Sequence, residues 1–379
     1  MVPQSYYRCW VEVDLDALRQ NVAAIRRRIG PEAKLMAVVK ADAYGHGLAP
    51  VARVLMQCGV HGFAVANLAE ALVIRHVGGT GWPVLLFGSA LPFEVAKIVE
   101  QNITPTVSTV EEARWFDREG ERQNRAVSLQ VEVDTGMGRA GFWHRGAAAQ
   151  IREVAGLSHA RIEALYTHFP VADEDVRATR RGLKSFLKVA QELDEAGLKP
   201  PLLHAANSAA LLNVPEAVLD MARPGLLLYG ICPAGCAAPE FRPLLSFKAR
   251  VALVKNVARG RTISYGSTFV AKRPMKVATI AAGYGDGFSR QLSNKARVLI
   301  GGQRCRVLGR VTMDQIMADA TGVPEVKSGD EAVFIGRQGE AQITASEMAE
   351  WAGTIAWEVL CGITKTARVP RIYHGVSAA

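Results

Sequence analysis

Eight short apolar runs, separated for the most part by amphipathic helical stretches, recur over about 230 residues of this 379-residue chain, and few architectures absorb that many βα units. The runs are LMAVV (35–39), GFAVAN (62–67), PVLLFG (83–88), ITPTV (103–107), VSLQVEVD (127–134), RIEALYTHF (161–169), PLLHAAN (201–207) and LLLYG (226–230). LRQNVAAIRRRI precedes the first. APVARVLMQC, NLAEALVIRHV, LPFEVAKIVEQ and the segment 176–196 read as helices between the others. The count and length match a closed (β/α)8 barrel. An open doubly wound sheet is the alternative, and the absence of GxGxxG after the first strand removes its dinucleotide fingerprint.

From residue 243 the texture changes. LLSFKARVALVKNVARG, MKVATIAAGYGDGF, KARVLIGGQRCRVLGRVTMDQIMADA and GDEAVFIG are β-branched runs broken by Gly-rich or Asx turns, as in an antiparallel β-domain. One helix-like stretch, ITASEMAEWAGTIAWEVLC, interrupts them, with Thr344 as its cap three residues before Glu347. The expected fold class is therefore α/β: an N-terminal (β/α)8 barrel over 1–242 and a mainly antiparallel C-terminal β-domain over 243–379.

Composition narrows the function classes. With 49% hydrophobic and 21% charged residues the chain has the usage of a folded globular protein. Cysteines at 9, 58, 232, 236, 305 and 361 include no CxxC pair, which suits a reducing compartment. The first 21 residues carry neither a basic n-region nor a continuous apolar core, so a cytoplasmic protein is expected. No apolar run approaches the roughly 20 residues of a membrane span. The net charge of +9 is dispersed, as in RRR at 26–28 and RATRR at 177–181, without interleaved aromatics. That reads as a solvated surface, or as attraction for small anions, rather than as a nucleic-acid interface.

In a barrel of this kind, chemistry gathers at the carboxyl ends of the strands. Lys40 follows the first run in AVVKADAYGHG, where a turn of Tyr44, Gly45, His46 and Gly47 can hold an aromatic ligand. A partly desolvated lysine there suits imine formation. The fifth run ends in DTGMGRAG with Arg139, and the sixth in THF with His168. Asn207 and Ser208 follow the seventh, where a helix cap and a phosphate site have the same signature, and Arg223 and Gly225 introduce the eighth. Taken singly, Lys40 reads as surface charge, His168 as packing and Asn207–Ser208 as a cap. Together they describe a pocket for a phosphorylated, carbonyl-bearing cofactor, of which pyridoxal phosphate is the obvious one.

With these segments in order, joined by ISYGSTF (263–269), GYGDGF (283–288), GRVTMDQ (309–315) and RVPRIY (368–373), the chain closely resembles the bacterial alanine racemases over nearly its full length. The resemblance implies a cytoplasmic homodimer with shared sites, no metal, and pyridoxal 5'-phosphate held on Lys40. Two bases are implied, Lys40 in the barrel and Tyr265 in the partner's β-domain, with His168 and, behind it, Arg223 adjusting the tyrosine. It further implies that Arg223 faces the ring nitrogen. Tyr44, Ser208, Gly225, Leu226 and Tyr373 become phosphate contacts and Asn207 a pocket neighbour. Arg139 serves the cofactor's phenolic oxygen and the substrate carboxylate, the Met313 N–H that carboxylate as well, and Tyr284 narrows the entrance.

Two positions depart from the family. Glu132 stands where a carbamylated lysine is common, and is expected to orient Arg139 directly or through water or chloride. Phe288 stands where tyrosine is common, removing a hydroxyl from the entrance. The rival readings are a racemase also acting on serine, a pyridoxal-phosphate carrier, and a basic nucleic-acid module.

Overall fold

The structure, a computed structural model, describes residues 6–233, 238–363 and 368–375. Cys236 and part of the 231–243 crossover lie outside them. The chain divides into two compact units. Ala17–Ala43 and Leu48–Arg242 form one; Met1–Asp16, Tyr44–Gly47 and Pro243–Ala379 form the other.

The first unit is a closed parallel barrel. Its strands are Lys34–Val38, Gly62–Val65, Val84–Leu86, Thr104–Val107, Val127–Asp134, Ala160–Tyr166, Leu203–His204 and Met221–Ala222. Each pairs in parallel with the next, and the last closes on the first through Met221 opposite Lys34 and Ala222 opposite Leu35. The outer helices bury one stripe each. Along Val176–Glu195, Thr179, Gly182, Leu183, Phe186, Val189, Ala190 and Leu193 face inward at three- and four-residue spacing. Burying a side chain such as Phe186 contributes about 2 kcal/mol. Asn67, Thr109, Asp175 and Asn207 cap their helices by accepting from the N–H three residues on, each worth about 1 kcal/mol.

The eighth strand differs from the sequence expectation. The run 226–230 is largely a buried 3-10 helix, Leu226–Tyr229, and the strand lies just before it. Both are apolar, and periodicity does not separate a short buried strand from a buried helical turn. Arg223 therefore ends strand eight instead of introducing it.

The second unit is built on Leu245–Val257. Its first half buries Leu245, Phe247, Ala249 and Val251 in strict alternation. It pairs antiparallel with Cys9–Asp14, Met275–Ile280 and Glu331–Gln338, and a register shift between Val251 and Leu253 marks a bulge. Cys9–Asp14 also pairs in parallel with Arg371–His374. The partition is thus discontinuous, which a single boundary at 242/243 does not express. The expected single helix near 345 is two, Ala345–Ala352 and Ala356–Ile363. Gly353 stops the first with a left-handed φ of 73°, and Thr344 caps it by accepting from Glu347 N at 3.1 Å.

Candidate active site at the carboxyl end of the barrel

Lys40 lies two residues past the first strand, and the chain then winds left-handed through Ala41, Asp42, Ala43 and Tyr44 with φ of 53–55°. Four consecutive residues with side chains in that region are costly and occur where surrounding structure imposes them. Asp42 braces the turn from within by accepting from Leu48 N at 2.7 Å.

After strand five the backbone folds back on itself, so that Phe142–Trp143 pairs with Val133 and Asp134. Gly141, at φ 97°, permits this, because a Cβ there would lie 2.9 Å from both Asp134 N and Glu132 O. Asp134 accepts from Gly136 N and Gly138 N, and the loop so formed presents Arg139, which is exposed.

Arg223 is the centre of the site. It is buried, donating Nη1 to His204 Nδ1 at 2.6 Å and Nη2 to the carbonyls of Thr167 (2.8 Å) and Ala205 (3.3 Å). Its guanidinium carbon sits 5.0 Å from the centroid of the Tyr166 ring, which stacks on His204 at 5.1 Å. Arginine only donates, so His204 Nδ1 must accept. The imidazole is then the Nε2–H tautomer, and Nε2 donates to Gln130 Oε1 at 2.9 Å. Burial, with the Arg223 charge beside it, drives the His204 pKa well below the ordinary histidine value. Arg223 itself is pushed down to about 10 by burial and stays a cation at neutral pH. Its Nε has no hydrogen-bond partner among the described residues.

No hydrogen bond joins Arg223 to His168, and the charge of Arg223 acts on the histidine through space. Burial first, then Arg223, Arg139 and Lys40, push the His168 pKa down to about 3. The positive charges that act on this neutral histidine favour anions in the same region. No sequence motif singles out His204, Gln130 or Tyr166. Their signal was present, as polar side chains at barrel-interior positions of strands five, six and seven.

Glu132 is buried as well, and its Oε2 accepts from Tyr166 OH at 3.1 Å, while Tyr166 OH lies 2.9 Å from Thr106 Oγ1. No ion pair joins Glu132 to Arg139, because strand alternation turns the carboxylate inward to Tyr166. Burial raises the Glu132 pKa, against the opposing pull of Arg139, the Tyr166 bond and Arg223.

Ser208 Oγ accepts from Gly225 N at 3.0 Å and Leu227 N at 3.3 Å, joining the helical turns that begin at Ser208 and Leu226. Asn207 Oδ1 accepts from Ala210 N at 2.9 Å. The N–H groups of Ser208 and Leu226 have no partner among the described residues, as expected of the first residues of helical turns and as a phosphate requires. With the unpartnered Arg223 Nε, this donor set fits a phosphorylated pyridine cofactor.

The other expected residues belong to the second unit. Tyr265 opens a short turn in which Ser264, Gly266 and Ser267 all have positive φ, and it is 71% exposed. Tyr284 and Met313 are also exposed, and Met313 N–H has no partner among the described residues. Tyr373 OH donates to His46 O at 3.1 Å, and burial lifts the Tyr44 phenol above its usual range. Phe288 is no entrance residue: it is fully buried, 4.9 Å from the Phe334 ring.

Two family models match the chain, alanine racemase N-terminal domain over residues 13–233 and alanine racemase C-terminal domain over 244–373. The alanine racemase of Symbiobacterium thermophilum is 42% identical over 372 residues, 97% of this chain and 98% of that one. Among solved structures, alanine racemase from Bacillus anthracis with bound L-Ala-P superposes with a TM-score of 0.89 at 36% identity, covering 98% of this chain and 96% of that one. That from Bartonella henselae with covalently bound pyridoxal phosphate gives 0.89 at 26% identity, covering 97% and 99%. Barrel, β-domain and lysine-bearing strand end define an isomerase of the amino-acid racemase class. The chain belongs to the alanine racemase family.

Proposed function

We propose that the protein interconverts L- and D-alanine by a two-base mechanism, using pyridoxal 5'-phosphate held on Lys40. The observation that carries this reading is the donor set at the carboxyl end of the barrel, the Ser208 and Leu226 N–H groups and Arg223 Nε left without partners among the described residues, which suits a phosphorylated cofactor in the unit whose first strand leads to Lys40. Bound there, the cofactor supplies an electron sink that acidifies the substrate α-carbon. Ser208, Leu226 and Gly225, with Tyr44 and Tyr373, would hold its phosphate, with Asn207 beside them. Arg223, still protonated, would donate to its ring nitrogen without surrendering a proton.

The remaining work falls to the chain's own groups. Inversion needs a proton removed on one face and returned on the other. Lys40 Nζ and the Tyr265 hydroxyl serve the two faces, with Lys40 taking the D enantiomer's proton and Tyr265 the L enantiomer's. Neutral His168 can accept a hydrogen bond and so assist Tyr265, whose ordinary pKa near 10 is high for a base. Arg139 and the Met313 N–H hold the carboxylate, and Tyr284 limits the side chain admitted.

The exposure of Tyr265, Tyr284 and Met313 supports a homodimer in which each site draws on both chains. No helix among the described residues is long and apolar enough to cross a membrane. A cytoplasmic enzyme supplying D-alanine for peptidoglycan is the setting that suits this activity. Assay of both enantiomers of alanine, serine and other small amino acids tests the reading, with alanine expected to be racemised fastest. Borohydride reduction should fix the cofactor on the Lys40 peptide, and label on another lysine would remove the central assignment.

A further inference from the structure

Within the β-rich unit, the loop 283–288 lies directly on residues 312–314. Tyr284 N donates to Thr312 O at 3.0 Å and Gly285 N to Met313 O at 2.9 Å. The approach requires glycine at 283, where a Cβ would stand 2.1 Å from Thr312 O and 2.5 Å from Met313 O, both backbone. Arg368 closes the arrangement from the far end of the chain. Its Nε lies 3.2 Å from Asp286 Oδ1 in one loop, and its Nη2 donates to Asp314 Oδ1 at 2.6 Å in the other. The second oxygen of Asp286 accepts from Gly283 N at 3.0 Å, carrying the clamp into the loop backbone. Asp286 is buried, whereas the Arg368 and Asp314 side chains are half exposed.

We infer that Arg368 is a positioning residue that sets substrate affinity, by holding the Tyr284 loop and the Met313 peptide in one register. The inference rests on the reading that Met313 N–H and Tyr284 meet the substrate. Met313 N–H has no partner among the described residues, and it shares one planar peptide with Thr312 O, which accepts from Tyr284 N in the loop that Arg368 clamps, so that bond sets its direction. One guanidinium bridging two carboxylates on separate loops has a geometric task that a lysine, with one compact charge, performs only in part. The clamp touches neither proposed base, so it acts on binding and leaves proton transfer alone.

The test compares wild type, Arg368→Ala, Arg368→Lys and Asp314→Asn as purified holoenzymes, racemising alanine in both directions. Arg368→Ala is expected to raise KM about fivefold with kcat within about twofold. Arg368→Lys should recover part of the loss, and Asp314→Asn should fall between. Hydrogen exchange at residues 283–288 and 312–314 should quicken in Arg368→Ala and be unchanged in the barrel. Unaltered KM and exchange in an active enzyme would overturn the inference while leaving the racemase reading intact. A parallel fall of kcat and thermal stability, with KM unmoved, would overturn it in favour of a structural role. A wild type that racemises no alanine would sink the underlying reading, and the inference with it.

Discussion

The barrel mouth and the loops of the β-rich unit carry their polar groups in opposite ways. At the mouth, Arg223, His204, Gln130, Tyr166 and Glu132 are buried and engage one another within a single chain. On the loops, Tyr265, Tyr284 and Met313 stand 71%, 43% and 52% exposed. A buried polar network must be satisfied where it is, since leaving one member unpaired costs the desolvation of that group. Exposed groups on braced turns bear no such constraint and can complete a site elsewhere. The difference is that the polar groups at the barrel mouth are satisfied by folding alone, whereas Tyr265, Tyr284 and Met313 remain exposed in the single chain; the proposed dimer would give them their role.

The largest effect expected is on catalysis. Lys40→Ala and Tyr265→Phe should each reduce racemisation by about a thousandfold or more. Mixing the two inactive proteins under conditions of subunit exchange should restore activity, because each heterodimer carries one site with both bases intact. No recovery after verified exchange would break the comparison, by showing that Tyr265 serves its own chain.

Stability should separate the regions next. Arg223→Met removes the cation that His204, Tyr166 and Glu132 surround, and should destabilise the protein by about 3 kcal/mol. Tyr265→Phe should change stability by no more than about 0.5 kcal/mol. Denaturant midpoints measure both, and equal losses would contradict the division.

A smaller effect is expected at Glu132. Glu132→Gln keeps the volume and an acceptor for Tyr166 OH but removes the negative charge acting on Arg139 and Arg223. Turnover or alanine affinity should fall several-fold, about 1 kcal/mol in transition-state terms. The wild type has no lysine at this position to carbamylate, and should be indifferent to removal of carbon dioxide and bicarbonate. Wild-type kinetics in Glu132→Gln at fixed chloride would show that the charge of Glu132 does not reach the site through Arg139 or Arg223.

The last concerns acid. His168 titrates near 6.5 when unfolded and at about 3 when folded, so between those values the unfolded chain binds more protons. Stability from the neutral imidazole is complete above about pH 6.5 and is lost as pH falls toward about 3. Replacing His168 with Asn, which does not titrate, should flatten that limb in a series of denaturation curves. A limb of unchanged slope would show that other groups govern it.

Much of this was legible in the residues themselves. Helical and alternating spacing, Asx and threonine caps, and a lysine closing an apolar run are local patterns, and local patterns record how each segment meets the core. They sufficed for the barrel, for the β-rich second part, for the cap at Thr344 and for Lys40, Arg139, His168 and Ser208 at strand ends. Tertiary structure decided what depends on partners distant in sequence. Leu226–Tyr229 became a helical turn because strand pairing closed the barrel at Met221–Ala222. Cys9–Asp14 left the barrel to pair with residues about 240 and 360 positions away. His204 became the partner of Arg223, and Glu132 of Tyr166, because barrel closure brought strands five through eight to a common interior. Hydrophobic burial is non-directional and can be read segment by segment, whereas a hydrogen bond needs two named atoms within about 3 Å, and only the folded chain says which atoms those are.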